Sequence, residues 1–128
     1  MNSEIERHLE KASGKLRVAK KLAEMGEYED SISRAYYAMY HAAKAALLRK
    51  GSSPKTHEGV AREFGRIFLK TGVLPEKTGK SLLTAKAFRE KGDYVPTFEA
   101  SKAETFQIVK DAEDFLDLIR THLRVTST

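Results

Sequence analysis

The sequence predicts an all-α protein, an up-and-down antiparallel bundle of about five helices in a single domain spanning residues 1–128. Glycine- and proline-containing breaks divide the chain into five segments of helical length, and apolar residues recur within those segments at the 3.6-residue period. No alternating β-branched run and no Asn-Gly turn indicates a β-hairpin. Long helices joined by short connections pack antiparallel, which favours a bundle.

The five helices are expected at about residues 3–25, 28–50, 56–70, 75–91 and 97–123. Gly26 and Gly51 can end the first two, because glycine readily adopts the left-handed conformation that follows a helix C-terminus. Pro75 suits the first turn of the fourth helix, where its missing N–H costs nothing. Thr97 is expected to cap the fifth helix.

The apolar face of each helix predicts which side chains form the core. The predicted core positions outside the second helix are Ile5, Leu9, Ala12, Leu16, Ala19 and Leu22 on the first helix, Val60, Phe64, Ile67 and Phe68 on the third, Leu82, Leu83 and Phe88 on the fourth, and Phe106, Ala112, Leu116, Ile119 and Leu123 on the fifth.

The second helix has two faces that look buried. One is an ordinary core stripe of Ile32, Ala35, Tyr36, Met39, Ala43, Ala46 and Leu47. The opposite face carries Asp30, Arg34, Tyr37, Ala38, His41, Ala45 and Leu48, where a solvated helix would carry Lys and Glu. A helix that is apolar on both sides is covered on both sides, either by another helix of the chain or by a second copy. We expect a homodimer with this face at or beside the interface, and small residues such as Ala38 and Ala45 would permit close approach.

Composition narrows the function classes. The chain has no cysteine, which excludes disulfides and thiolate metal sites, and its net charge of +5 permits but does not require contact with a phosphate backbone. No apolar run approaches the roughly 20 residues that span a bilayer, so we expect a cytoplasmic protein without membrane contact. We expect neither a metal site nor a cofactor, because clustered metal ligands and phosphate-binding glycine loops are absent from the sequence.

The most distinctive pair of residues is Arg34 and His41. They are seven residues apart on one helix, so they point within about 20° of each other and lie roughly 10 Å apart along the axis. Both side chains could converge on one phosphate, with Tyr37 between them and Asp30 placed to hold the guanidinium in an ion pair. A purely structural interpretation stays open, in which Arg34 pairs with Asp30 and His41 is a hydrogen-bonded interface residue.

Three separated segments resemble the HEPN domain family, in the order typical of its small stand-alone bacterial and archaeal members. They are SRAYYAMYHAA at residues 33–43, KTHEGV at 55–60 and REKGDY at 89–94. The family's hallmark is an Arg, four to six residues, then a His, which Arg34 and His41 match. The resemblance implies a helical bundle, usually dimeric. Position 43, where some toxin members carry a Tyr that a partner nucleotidyltransferase modifies, is Ala43.

The resemblance also implies a chemistry. In active members the Arg and His cleave RNA without a metal, so His41 would act as general base or acid on the ribose 2′-hydroxyl or the leaving oxygen. Arg34 would bind the scissile phosphate and stabilise its developing charge. The remaining candidates for substrate binding or support are Asp30, Tyr37, Lys44, His57, Arg89, Asp93 and Tyr94.

Some of these candidates have a plain structural alternative. His57 could contact a phosphate at the start of the third helix or simply cap and pack there. Asp93 could orient an Arg or His, or could be a turn residue that bonds to the local backbone. His8 and His122 occupy helix positions that look exposed, and we assign them no role.

Three functions are compatible with the sequence. The first is a HEPN-type RNA-binding protein or metal-independent endoribonuclease, the toxin of a toxin–antitoxin pair. The second is a non-catalytic, nucleotide-binding or regulatory dimer that partners a minimal nucleotidyltransferase. The third is an interaction module in which Arg34 and His41 only hold the dimer together.

Overall fold

Five helices form the chain in the computed structural model, which describes residues 3–126, and side chains up to residue 124. They are α1 (Ser3–Glu24), α2 (Tyr28–Arg49), α3 (His57–Phe64), α4 (Glu76–Tyr94) and α5 (Lys102–Thr126). One π-helical turn, Gly65–Leu69, continues α3. No strand occurs between residues 3 and 126. The predicted all-α class and helix number are confirmed.

The second helix is the centre of the fold. It packs against all four other helices and most extensively against α1. Its inward side chains Tyr36, Met39 and Leu47 are almost fully buried, together with Phe64 of α3 and Ile119 of α5. Burying side chains of this size stabilises a fold by about 1.5–3 kcal/mol each. The site residues carried by α2 therefore stand on the most constrained element of the protein.

The first helix covers one face of α2 in antiparallel register. The hydroxyl of Ser31 donates a 2.7 Å hydrogen bond to the carbonyl oxygen of Ala19, and further along the pair His41 meets His8. Ala38 and Ala45 follow Ser31 at seven-residue intervals, so they lie on the same stripe, and both are 0% exposed. The expectation that a second copy covers these alanines is therefore wrong: α1 of the same chain covers them. The homodimer itself stays a prediction, and these buried alanines cannot form its interface.

Two predicted core residues are exposed instead. Leu83 is 57% exposed, since the inward stripe of α4 is formed by Thr78, Leu82 and Ala85, and Leu83 lies about 100° around the helix from Leu82. Phe106 is 40% exposed for the same reason, one position past the buried Thr105 of α5. Hydrophobicity alone placed both residues in the core, although the helical phase turns them outward.

The predicted start of the fifth helix was also wrong. The helix begins at Lys102, and Ser101 caps it instead of Thr97. The Ser101 hydroxyl accepts a 3.0 Å bond from the Glu104 amide, and the Glu104 carboxylate accepts a 3.0 Å bond from the Ser101 amide. This reciprocal capping box satisfies two amides at once, which a lone Thr cap does not do. On the third helix, Thr56 caps α3 by accepting a 2.9 Å bond from the Gly59 amide.

Candidate functional site

The site lies on the outward strip of α2, between α1 on one side and α3 with α4 on the other. Arg34 is exposed, whereas Tyr37, Tyr40, His41 and Lys44 are half-buried along the strip. The strip is open between two edges. Helix α1 contacts the edge at His41, and His57 of α3 and Arg89 of α4 contact the tyrosine edge. Most of the residues predicted from sequence are thus brought to one continuous surface.

At the α1 edge, His41 meets a partner that the sequence did not single out. Nδ1 of His41 lies 3.0 Å from Nδ1 of His8, and the two ring planes are inclined at 27° with centroids 5.2 Å apart. His8 follows Ile5 by three residues and precedes Ala12 by four, so it borders the buried stripe of α1. That position was the available signal, but only the register of α1 on α2 brings the two imidazoles together.

The environment of His41 keeps its imidazole uncharged at neutral pH. Burial lowers the pKa of His41 to about 4, and repulsion from His8, Lys11, Lys15 and Lys44 acts in the same direction. The pKa of His8 is lowered as well, by burial and then by Lys44 and Lys11, partly opposed by the Glu4 carboxylate. A neutral imidazole can accept a proton, which is the state that a general base requires.

The depressed pKa of His41 predicts that the fold loses stability as the pH falls below 6.5. The unfolded chain takes up a proton below the ordinary value of 6.5 while the folded protein resists it, so the free energy of unfolding falls as the pH falls from 6.5 towards 4. Urea denaturation at several pH values in that window should show a steeper decline for wild type than for His41→Gln. Parallel curves would contradict the burial of an uncharged His41.

Four glutamates have lowered pKa values that do not interfere with this measurement above about pH 4.5. The pKa values of Glu58, Glu63, Glu104 and Glu113 are lowered from 4.5 by hydrogen bonds and nearby cations, so their stabilisation is lost only as the pH falls below that value. Glu58 and Glu104 are exposed, and Glu63 and Glu113 are half-buried.

At the opposite edge, an aromatic cluster joins α2 to α3. The hydroxyl of Tyr36 lies 2.8 Å from Nδ1 of His57, and burial raises the pKa of that hydroxyl far above neutrality, so it stays protonated. The imidazole of His57 also stacks on Tyr40, with centroids 4.6 Å apart. The ring of Tyr40 also packs against that of His41, with centroids 5.5 Å apart, so Tyr40 lies between His57 and His41. His57 therefore packs and hydrogen-bonds here, the simpler of its two interpretations.

Arg89 completes this edge from α4. Its guanidinium lies 5.2 Å from the ring centroid of Tyr37 and 5.6 Å from that of Tyr36, within cation–π range. Nε of Arg89 is 3.3 Å from the Asp93 carboxylate, an ion pair outside hydrogen-bond geometry, so this buried N–H makes no hydrogen bond within residues 3–126. Asp93 thus faces the Arg that it was expected to orient. Arg89 and Tyr94 line an open depression of about 360 Å³.

One expected contact does not form. Asp30 and Arg34 are both exposed, and in the described part of the chain no ion pair joins them. An exposed ion pair gains little because both groups are well hydrated and long side chains lose freedom by pairing. Arg34 is consequently not neutralised by Asp30 and can bind an anion that arrives from solution.

The cations around His41 favour a polyanionic ligand. Lys11 and Lys15 of α1 and Lys44 of α2 are close enough to act on its pKa, and Arg34 lies two turns away on the same strip. Lys44 also sits over the Tyr40 ring at 5.6 Å from the centroid. Between residues 3 and 126, no group of three or more His, Cys, Asp or Glu side chains could hold a metal ion. The described helices include none that is both long and apolar enough to cross a membrane.

Comparison with known proteins identifies the family. The HEPN domain profile matches residues 5–122. A protein of Methanocaldococcus jannaschii named "Putative toxin MJ0605" is 38% identical over 97% of this chain and 92% of its own length. A second protein from that organism, "Putative toxin MJ0142", is 32% identical over 94% of this chain and 82% of its own. A "UPF0332 protein" of Archaeoglobus fulgidus is 42% identical over 88% of this chain and 90% of its own. With its helical bundle and its Arg34–His41 strip, this chain belongs to the HEPN domain family.

Proposed function

We propose that this protein is a metal-independent endoribonuclease that acts as a homodimer and as the toxin of a toxin–antitoxin pair. The observation that carries the proposal is His41, a half-buried and uncharged imidazole surrounded by lysines and two turns from an exposed Arg34. A neutral base beside cations suits a reaction in which a proton is removed near a phosphate. Two relatives whose names describe them as putative toxins support the biological role.

The cleavage proceeds by transfer of the phosphate within the RNA. Nε2 of His41 removes the proton from a ribose 2′-hydroxyl, whose oxygen attacks the adjacent phosphorus, and the bond to the 5′ oxygen of the next nucleotide breaks. The leaving oxygen takes up the proton, so the products are a 2′,3′-cyclic phosphate and a free 5′-hydroxyl. Arg34 binds the non-bridging oxygens with its planar fork and stabilises the charge that builds on them.

The residues at the tyrosine edge bind the rest of the RNA. Arg89, held over Tyr37 and next to Asp93, and Lys44, held over Tyr40, provide cations on both sides of the strip. His57 and Tyr94 border the depression next to Arg89. A second protomer would face the strip across a shared cleft. A minimal nucleotidyltransferase is the antitoxin that we propose as partner.

The test is RNA cleavage in buffer that contains EDTA, with wild type, Arg34→Ala and Arg34→Lys. We expect wild type to cleave, Arg34→Ala to lose about 10²–10³-fold in rate, and Arg34→Lys to recover only part, because an ammonium keeps the charge but lacks the bidentate fork. The matched control is Arg17→Ala, which removes an exposed arginine from the groove between α1 and α5. That control should cleave like wild type.

Absence of cleavage by wild type over a broad pool of structured and unstructured RNA would overturn the ribonuclease proposal. The non-catalytic nucleotide-binding dimer would then be the better description of the protein. Loss of activity in Arg17→Ala as large as in Arg34→Ala would show that general charge, and not the position of Arg34, supports cleavage.

A further inference from the structure

His8 takes no part in the proposed cleavage steps, but it contacts His41, the proposed general base. The two Nδ1 atoms are 3.0 Å apart, which is hydrogen-bond distance. No protein atom in the described chain forms a hydrogen bond with Nε2 of either ring. Within the described residues, the contact thus leaves Nε2 of His41 without a hydrogen-bond partner.

A hydrogen bond between two Nδ1 atoms restricts both rings. One nitrogen must carry the proton and donate, and the other must present its lone pair and accept. In the neutral pair the two imidazoles are therefore opposite tautomers. When Nδ1 of His41 donates, its Nε2 carries a lone pair and can act as a base. When Nδ1 of His41 accepts, its Nε2 carries the proton and can act as an acid.

The surroundings oppose a second positive charge on the pair. Lys11 of α1 and Lys44 of α2 act on both rings and Lys15 of α1 acts on His41, whereas Glu4 of α1 is the carboxylate that acts on His8. Tyr40 packs against the His41 ring and is uncharged, because burial raises the pKa of its hydroxyl. Two protonated rings would also bring two N–H groups face to face at 3.0 Å, so the bond survives only while the pair holds at most one extra proton.

We propose that His8 is a positioning residue for His41: the Nδ1–Nδ1 hydrogen bond fixes the tautomer and orientation of His41 and leaves Nε2 as the nitrogen that reaches the scissile phosphodiester. This inference rests on the proposed ribonuclease function for its substrate. When Nε2 takes the 2′-hydroxyl proton, the Nδ1 proton lies between the two rings and the new charge is shared. Transfer of the Nε2 proton to the leaving oxygen restores the neutral pair.

The hydrogen bond can be tested without RNA by NMR titration of the imidazole signals in the full-length protein. Four histidines give four sets of signals, and substitution of each in turn assigns them. The informative variants are His8→Phe, which keeps an aromatic ring at this position but has no nitrogen, and His8→Asn, whose amide can occupy the place of Nδ1 without titrating. His122→Gln, on α5, is the control for removal of a histidine elsewhere.

In wild type we expect the signals of His8 and His41 to titrate together in two steps, because coupled sites share their protons. The ¹⁵N shifts of His41 should indicate one dominant tautomer. In His8→Phe the titration of His41 should become a single step and its tautomer preference should be lost. In His8→Asn the titration should also be a single step, with the tautomer still fixed. A single-step titration of His41 in wild type that His8→Phe leaves unchanged would overturn the proposal.

The cleavage assay separates this inference from the proposed function. If wild type cleaves RNA, His8→Phe should lower kcat and shift the acidic limb of the pH–rate profile, and His8→Asn should restore kcat in part. An unshifted profile in His8→Phe would overturn the positioning role while the ribonuclease proposal stands. Coupled titration in a protein that cleaves no RNA would overturn the ribonuclease proposal and still support the fixed tautomer.

Discussion

Replacing His41 by Gln is expected to lower the rate of metal-independent RNA cleavage by about 10²–10⁴-fold, the usual contribution of a positioned acid or base. Gln has a similar volume and can still hydrogen-bond, but it cannot take a proton from a 2′-hydroxyl near neutral pH. Because His41 is only half-buried and lies at the edge of the α1–α2 contact, the fold should survive the change. Single-turnover cleavage with a defined RNA and EDTA measures the effect.

The matched control for this prediction is His122→Gln. His122 is a half-buried histidine on α5 whose ring packs edge-on against Phe68, away from the α2 strip. It should cleave RNA at the wild-type rate. Circular dichroism of both variants checks that the helices are intact. A folded His41→Gln protein that retains wild-type activity would remove His41 from the chemistry, and the search for the base would move to His57.

Ala38→Glu is expected to destabilise the isolated chain by more than about 4 kcal/mol, which places it among the severe single substitutions. Ala38 is 0% exposed and lies on the stripe of α2 that α1 covers. A Glu side chain needs space between two closely packed helices, and its carboxylate would lose water without gaining a cation or a hydrogen-bond donor. Urea denaturation followed by circular dichroism measures the loss, and outright unfolding is an equally expected result.

Ala87→Glu is the control for helix propensity and added charge. Ala87 lies in the middle of α4 and is exposed, so this variant should differ from wild type by less than about 0.5 kcal/mol. If Ala38→Glu proves as stable as wild type and instead changes only the sedimentation of the protein, the alanine stripe faces a second copy and the packing of α1 on α2 is wrong.

Much of the architecture was predictable because each helix leaves a local periodic pattern in the sequence. The 3.6-residue period and the breaks at Gly26 and Gly51 predicted the bounds of α1 and α2 to within one residue. The same reasoning failed where phase matters more than composition. Leu83 and Phe106 are apolar, yet each lies about 100° from its helix's buried stripe, and the start of α5 depended on a reciprocal bond between Ser101 and Glu104.

The candidate site divides in the same way. The spacing and resemblance of a single segment identified Arg34 and His41, since both belong to one helix whose geometry is known in advance. The same spacing suggested an Asp30–Arg34 ion pair. That pair does not form, because both side chains are exposed to water and an exposed ion pair gains little free energy. Neighbours on one helix can thus be placed from sequence, but whether they bind each other depends on solvent access.

The residue pattern along the chain was enough to predict an all-α bundle, a second helix covered on two faces, and an Arg and a His aligned along one strip. Helix packing was needed to show that α1 covers Ala38, that His8 meets His41 at 3.0 Å, and that His57 contacts the tyrosines of α2. The contacts of His8 with His41 and of Tyr36 with His57 join residues 33 and 21 positions apart, whose distance depends on helix register and rotation. A periodic pattern indicates which face of a helix is buried. It does not indicate which helix packs on that face, or at which position along the helix axis.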